Sequence, residues 1–404
     1  MSAAPGHQPL AGLRVVDMTT LAMGPLATQI LGDYGADVIK VEPPAGDPFR
    51  NTLPTKSPRM GHVFLQFNRN KRSLAIDLKA PAARDVMRRL IEGADIVVSN
   101  VRPAAMAGLA LDYQTVRAIK PSIIYCAAYG FSERGPYAGR PAADDTIQAM
   151  SGLVSLHGRA TGTPQLAASV VADKAVGLML VNAVLAAIIH RMQTGEGGFI
   201  EVPMFESMVA FVMPEHLGGE TYVPAAGPSG YNRIINPMRR PYATSDGYLC
   251  VLPYTTPQWH RFFRMIGRDD LVSDPDLADP VQRNTRLEEL YGLIAGAMPH
   301  RTTKAWVADL IAADILFGEV LTPEDLVRDP HLDAVGMFTE ADHPTEGRIR
   351  LIRQPVQSST GATRLARLPP KLGQHSREIL AGLGLAPGEI DDLVATSIVL
   401  DGAC

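Results

Sequence analysis

The sequence predicts an α/β fold with a parallel sheet. Three observations carry that expectation. Short runs of β-branched residues recur through the first half, helical patterns lie between them, and a Gly/Pro-rich stretch breaks the pattern past the middle. Strands that alternate with helices pair in parallel, and such sheets bind ligands at the carboxyl ends of their strands.

RVVDM from Arg14 reads as the first strand. Gly24-Pro25 opens a helix, with proline in its first turn, and Gly35 closes it. DVIKV from Asp37 and SLAIDL from Ser73 are the next two strands. A helix over Pro81 to Glu92 leads to the strand DIVVS from Asp95. A short helical pattern from Tyr113 to Lys120 precedes the strand SIIYCAAY. The strongest helix runs from Lys174 to Thr194 and stops at Gly195. Its apolar stretch, Ala175 to Ile189, contains Asn182 and is short for a membrane span, so it reads as a buried helix. The strand FIEVP follows, and Met204 begins another helix. The Gly218 to Pro241 stretch places a domain boundary there. Beyond it come the strand GYLCVLP, helical patterns near Thr256 to Ile266, Arg286 to Ala297 and Thr303 to Ala313, a strand after Gly347, and a helix after Ser376.

A chain of 404 residues has room for two domains of ordinary size. The net charge of −4, with mixed signs along the chain, argues against a nucleic-acid or membrane partner. Cys126, Cys250 and Cys404 are far apart and form no metal spacing, which suits a reducing compartment. The opening MSAAPGHQPL lacks the pattern of a signal peptide, so the expected location is the cytoplasm.

Common catalytic motifs are missing: there is no G-x-x-x-x-G-K-[ST], no H-E-x-x-H and no G-x-S-x-G. The turn after the first strand reads TTLAMGP, which gives a nicotinamide dehydrogenase little support. Asp173 stands in VVADKAVG, directly before the long helix. As an N-cap it would accept helix N–H groups and carry a lowered pKa. As a nucleophile it would need to be ionised and rigidly held. The two readings are compatible. Lys71, Arg72, Lys79 and Arg102 lie near strand ends, with Arg140 a weaker member of the set. They suit the phosphates of a nucleotide-like ligand, or form a solvated rim. Arg239-Arg240 reads either as a clamp for a substrate carboxylate or as a surface turn.

Longer blocks then align with a known family. PLAGLRVVDMTTLAMGPLATQILGDYGADVIKVEPPAGDPFR, NRNKRSLAIDLK, SNVRP, IIYCAAYGFSERGPYAGRPAADDTIQAMSGLV, HRMQTGEGGFIEVPMFESM, RRPYATSDGYLCV and PPKLGQHSREIL occur in order along most of the chain. Together they resemble the class III CoA-transferases (the CaiB/BaiF family), which include formyl-CoA transferase and carnitine CoA-transferase. The resemblance implies a large Rossmann-like domain over residues 1–217 and 331–404, a smaller α+β domain over 218–330, and an interlocked homodimer. It implies acyl-CoA and small carboxylic acids as partners, with no cofactor beyond the coenzyme A of the substrate. Asp173 matches the family's nucleophile. Ala22 and Met23 match its contact turn, and Ile76 to Lys79 and Asn100, Val101 and Arg102 match its CoA-binding positions.

Departures from the pattern narrow the expectation. Formyl-CoA transferases carry glutamine where this chain has Ala22, and a glycine-rich loop where it has AAGPSGYNRIINP. A further CoA-binding arginine of the family aligns with Gly108. Formate or oxalate specificity is therefore not expected. An α-methylacyl-CoA racemase of the same fold would pair the aspartate with a histidine, and that position here is Ala143. A non-catalytic CoA-binding protein is the second alternative. The implied reaction is ping-pong transfer through an Asp173–CoA thioester, with backbone groups near Ala22 as candidate oxyanion donors. Arg239 and Arg240, as a carboxylate clamp, would suggest a dicarboxylate such as succinate.

Overall fold

The computed structural model describes residues 8–359 and 363–402. Cys404 and the first seven residues of the opening segment lie outside the described residues. The chain divides into two units. One comprises the chain up to Ser151, Ala167–Phe211 and the chain from Asp333 onward; the other comprises Gly152–Leu166 and Val212–Leu332.

The first unit begins with β1 (Arg14–Met18), α1 (Met23–Asp33) and β2 (Asp37–Glu42). α2 (His62–Phe67), β3 (Lys71–Ile76), α3 (Ala83–Glu92) and β4 (Ile96–Ser99) follow. Then come α4 (Pro103–Gly108), α5 (Tyr113–Ile119), β5 (Ile124–Tyr129) and α6 (Asp144–Met150). After α7 (Leu153–Thr161), which belongs to the second unit, the chain forms α8 (Val171–Thr194), β6 (Gly198–Pro203) and α9 (Met204–Val212).

The second unit holds β7 (Tyr242–Ala243), β8 (Tyr248–Leu252) and β9 (Leu316–Glu319) in one antiparallel sheet. Its helices include α10 (Thr256–Met265), α11 (Pro275–Ala278), α12 (Pro280–Thr285), α13 (Leu287–Ala297) and α14 (Thr303–Ala312). Trp259, Phe262, Phe263, Leu290, Tyr291 and Trp306 form its core. α15 (Pro323–Leu326) and α16 (Pro330–Ala334) lead back to the first unit. There the hairpin of β10 (Phe338–His343) and β11 (Gly347–Ile352) is followed by α17 (Ser376–Gly382), α18 (Pro387–Ala395) and β12 (Val399–Leu400).

The large sheet has the order β12-β3-β2-β1-β4-β5-β6. Every pairing is parallel except β12 with β3. Without β12 this is the doubly wound order 3-2-1-4-5-6, whose reversal point lies between β1 and β4. One face packs on α3, α17 and α18 through Val86, Leu90, Ile379, Leu380 and Ile390. α3 suits this role because its apolar residues fall at helical spacing, Val86, Met87, Leu90 and Ile91, while Arg88 pairs with Asp85 and Glu92 on the outer face. α1 and α8 pack together elsewhere on the unit.

Three expectations need correction. β3 starts at Lys71, two residues before the expected Ser73. α8 starts at Val171, three before Lys174. α8 is not buried all round: Ala172, Val176, Leu180, Val184 and Ile188 face inward, whereas Leu178, Ile189 and Met192 are exposed. By length and composition α8 could cross a membrane, and it is the only such helix among the described residues. Its inward stripe packs against α1 and beside β5 and β6. Cys126 is buried in β5, where burial pushes its thiol up to about 12, and Cys250 is exposed in β8; both are free.

Candidate active site

A cavity of about 530 Å³ opens at the carboxyl ends of β1, β4 and β5. Thr20, Leu21 and Met23 line it from the turn after β1, and Asn100 and Arg102 from the turn after β4. This is the reversal point of the strand order, where doubly wound sheets leave a crevice. Arg140, Ala143, Asp144 and Asp145 close one side, and Val170 and Asp173 at the start of α8 complete it.

The two turns at the crevice are tied together. The Asn100 side chain donates to the Thr20 carbonyl at 2.8 Å and accepts from the Thr20 N–H at 3.0 Å. That engages its amide in structure, while the residue itself still lines the cavity. Arg102 is exposed beside the cavity and has no ion pair among the described residues. Arg140 is exposed as well, its guanidinium 4.2 Å from the centre of the Tyr137 ring.

Other expected positions lie elsewhere. Val101 lines a second cavity of about 680 Å³, which shares Pro103, Tyr129 and Glu133 with the first. Ala22 precedes α1, is fully buried and lines neither cavity, although its neighbours Leu21 and Met23 line the first. Ile76 is fully buried because β12 pairs beside it and its side chain joins the core. Lys79 is exposed just past β3 and lines neither cavity. Arg239 and Arg240 are exposed residues of the second unit.

Two of the cations read as phosphate ligands or a solvated rim are engaged by partners within the protein. Lys71 is fully buried and donates to Asp17 Oδ2 at 2.9 Å, the Pro25 carbonyl at 3.0 Å and Asn68 Oδ1 at 2.9 Å. Arg72 pairs with Asp37 at 2.6 Å and Glu378 at 3.0 Å. Their difference follows from strand alternation: neighbouring residues in β3 face opposite sides. Burial pulls the Lys71 ammonium down to about 8 against the attraction of Asp17. Burial also opposes ionisation of Asp17, but Lys71, Lys40 and the hydroxyls of Thr19 and Thr28 outweigh it and hold the carboxyl at about 2.

Asp173 is not the N-cap of α8. It is the third residue of the helix, and Val170 stands at the cap without a side-chain bond. The capping carboxylate comes from Asp144 in α6, whose Oδ1 accepts the Asp173 N–H at 3.0 Å. Gln148, one turn further along α6, donates to Asp144 Oδ2 at 2.5 Å and accepts the Ala167 N–H at 2.9 Å. Asp144 and Gln148 are both buried. The sequence reading missed this pair. Its signal was the spacing of Asp144 and Gln148, four apart and so on one helix face, but nothing local tied them to residue 173.

The electrostatic consequence reverses the expectation of a lowered pKa. Burial, and then the charge of Asp144, push the Asp173 carboxyl up to about 6. The helix N–H that could have stabilised it goes to Asp144 instead. At neutral pH the group is still mostly ionised, and a carboxylate of raised pKa is a better nucleophile than an ordinary one.

Comparison with known proteins identifies the family. The model of CoA-transferase family III matches residues 10–376. The chain is 30% identical to the succinyl-CoA:glutarate CoA-transferase of Mus musculus, covering 97% of this chain and 90% of that protein. It is 31% identical to the succinate–glutarate CoA-transferase of Agrobacterium fabrum, covering 93% and 96%. Among solved structures, a CAIB/BAIF family protein from Brucella suis superposes with a TM-score of 0.80 at 30% identity, covering 93% of this chain and all of that one. The chain belongs to CoA-transferase family III and is an enzyme of that class.

Proposed function

We propose that this enzyme moves coenzyme A from a dicarboxylic acyl-CoA, such as succinyl-CoA, to a second small carboxylic acid through a covalent intermediate on Asp173. The observation that carries the reading is the partly buried Asp173 carboxylate, with its raised pKa, in the cavity where the β1 and β4 turns meet. An Asp173 oxygen attacks the thioester carbonyl, the carbon–sulfur bond breaks, and the CoA thiolate leaves a mixed anhydride. The thiolate then attacks the aspartyl carbonyl and expels the donor acid, giving an Asp173–CoA thioester. The acceptor carboxylate runs the same steps in reverse. No step consumes water or calls for a prosthetic group. The backbone N–H groups of Met23 and Gly24, at an α1 start that no side chain caps, are the oxyanion donors. Arg102 and Arg140 meet the phosphates of coenzyme A.

The choice of succinyl-CoA is supported by the substrates in the names of the mouse and Agrobacterium relatives. The working form is a homodimer, because the outward stripe of Leu178, Ile189 and Met192 on α8 is an apolar surface that a second copy would cover. A cytoplasmic location, without membrane or nucleic-acid partners, completes the reading. Incubation with succinyl-CoA and a panel of acids, glutarate included, should yield free succinate and a new acyl-CoA in equal amounts by mass spectrometry, from a species that sediments as a dimer. Acceptor-independent deuterium exchange at the α-carbon, without CoA transfer, would replace this reading with the racemase alternative. An active monomer would remove the dimer.

The pH profile tests the nucleophile's surroundings. kcat/KM should fall as pH drops below about 6, where Asp173 takes up a proton. Asp144→Asn keeps an oxygen for the Asp173 N–H but removes the neighbouring charge, so this acid limb should move to lower pH. An unmoved limb in that variant would clear Asp144 of any part in the shift.

A further inference from the structure

Two groups outside the cavity brace the start of α1. Gly177 lies one helical turn after Asp173 on the same face of α8. A β-carbon there would stand 2.8 Å from the Met23 carbonyl oxygen and 3.5 Å from Leu26 Cδ2. Only a glycine lets the start of α1 sit this close to the nucleophile's helix. The same turn also rests on a buried ion pair. Lys40 donates to Asp47 Oδ2 at 2.9 Å and to the Thr19 carbonyl at 2.8 Å. Asp47 Oδ1 accepts the Leu21 N–H at 3.2 Å and the Phe49 N–H at 2.9 Å. Lys40 and Asp47 are both fully buried. Leu21 has φ of 68°, a left-handed conformation that costs a branched residue energy and needs such outside support.

We infer that Gly177 and Asp47 are positioning residues: they hold the turn that leads into α1 at a fixed distance from Asp173, so that the Met23 and Gly24 N–H groups meet the oxyanion. This rests on the covalent aspartyl reading above. Neither residue lines the cavity, so both should act on turnover and not on CoA binding. A Gly177→Ala side chain must push the turn away by about half an ångström to reach ordinary contact, and displacements of this order are costly in catalysis.

The test compares Gly177→Ala and Asp47→Asn with the native enzyme. Asn has the shape of Asp47 but cannot serve both Lys40 and the two N–H groups. Turnover is normalised to the number of CoA-binding sites found by calorimetry, which removes any unfolded fraction. The expected result is a loss of about tenfold or more in kcat per site, with the Kd for coenzyme A within about twofold of native in both variants. Native kcat per site in either folded variant would overturn the inference, and so would a loss that appears only in CoA affinity. If Gly177→Ala does not fold, Asp47→Asn decides alone. Full turnover in Asp173→Ala would instead show that the aspartyl reading has failed.

Discussion

Asp173→Ala and Asp173→Asn are expected to abolish CoA transfer, lowering kcat by at least about a thousandfold, while the protein stays folded. Both remove the carboxylate that attacks the thioester. The alanine variant is measured beside the asparagine because an asparagine in a reactive site can hydrolyse back to aspartate. Stability should move the other way. The folded-state pKa of Asp173 lies above its ordinary value, at about 6. Ionisation therefore opposes folding: stability falls as pH rises from about 4 to about 6 and carries the full penalty above that. At pH 7.5 the neutral variants should unfold at or above the native temperature. Activity lost together with a lower unfolding temperature would point to damage and not to a missing nucleophile.

Lys71→Met is expected to cost about 3–5 kcal/mol in urea unfolding, as for other buried ion pairs that lose one partner. The side chain has no exposed surface, and its three bonds go to β1, α1 and the loop before β3. Without it Asp17 keeps its buried charge with Lys40 as the remaining cation nearby. The opposite outcome is equally specific. If Lys71 served as a phosphate ligand, the variant would keep its stability and show a higher KM for acyl-CoA.

The contrast between Lys71 and Asp173 shows what could be read without coordinates. β1, β2, β4 and β5 announce themselves because strands buried on both faces are runs of Val and Ile, and α1 and α8 because Gly35 and Gly195 mark their ends. Asp173 was legible because it sits just ahead of an apolar helical run within a block that resembles a family. Its pKa was not. The shift depends on burial and on Asp144, which is 29 residues away in the chain and reaches α8 only in the fold. Likewise KRSLAI carries two adjacent cations, and only the strand's orientation decides that Lys71 points into the core and Arg72 towards Asp37. Short antiparallel β12, which covers β3 and hides Ile76, has two residues and no pattern to detect.

Chemical trapping tests the central claim most directly. The enzyme is mixed with acyl-CoA without acceptor, treated with borohydride or hydroxylamine, digested and mapped by mass spectrometry. The covalent reading predicts that Asp173 is recovered as homoserine after borohydride, or as its hydroxamate after hydroxylamine, and that neither product forms without acyl-CoA. Label on any other residue, or an unmodified Asp173 in an enzyme that turns over fully, would contradict it.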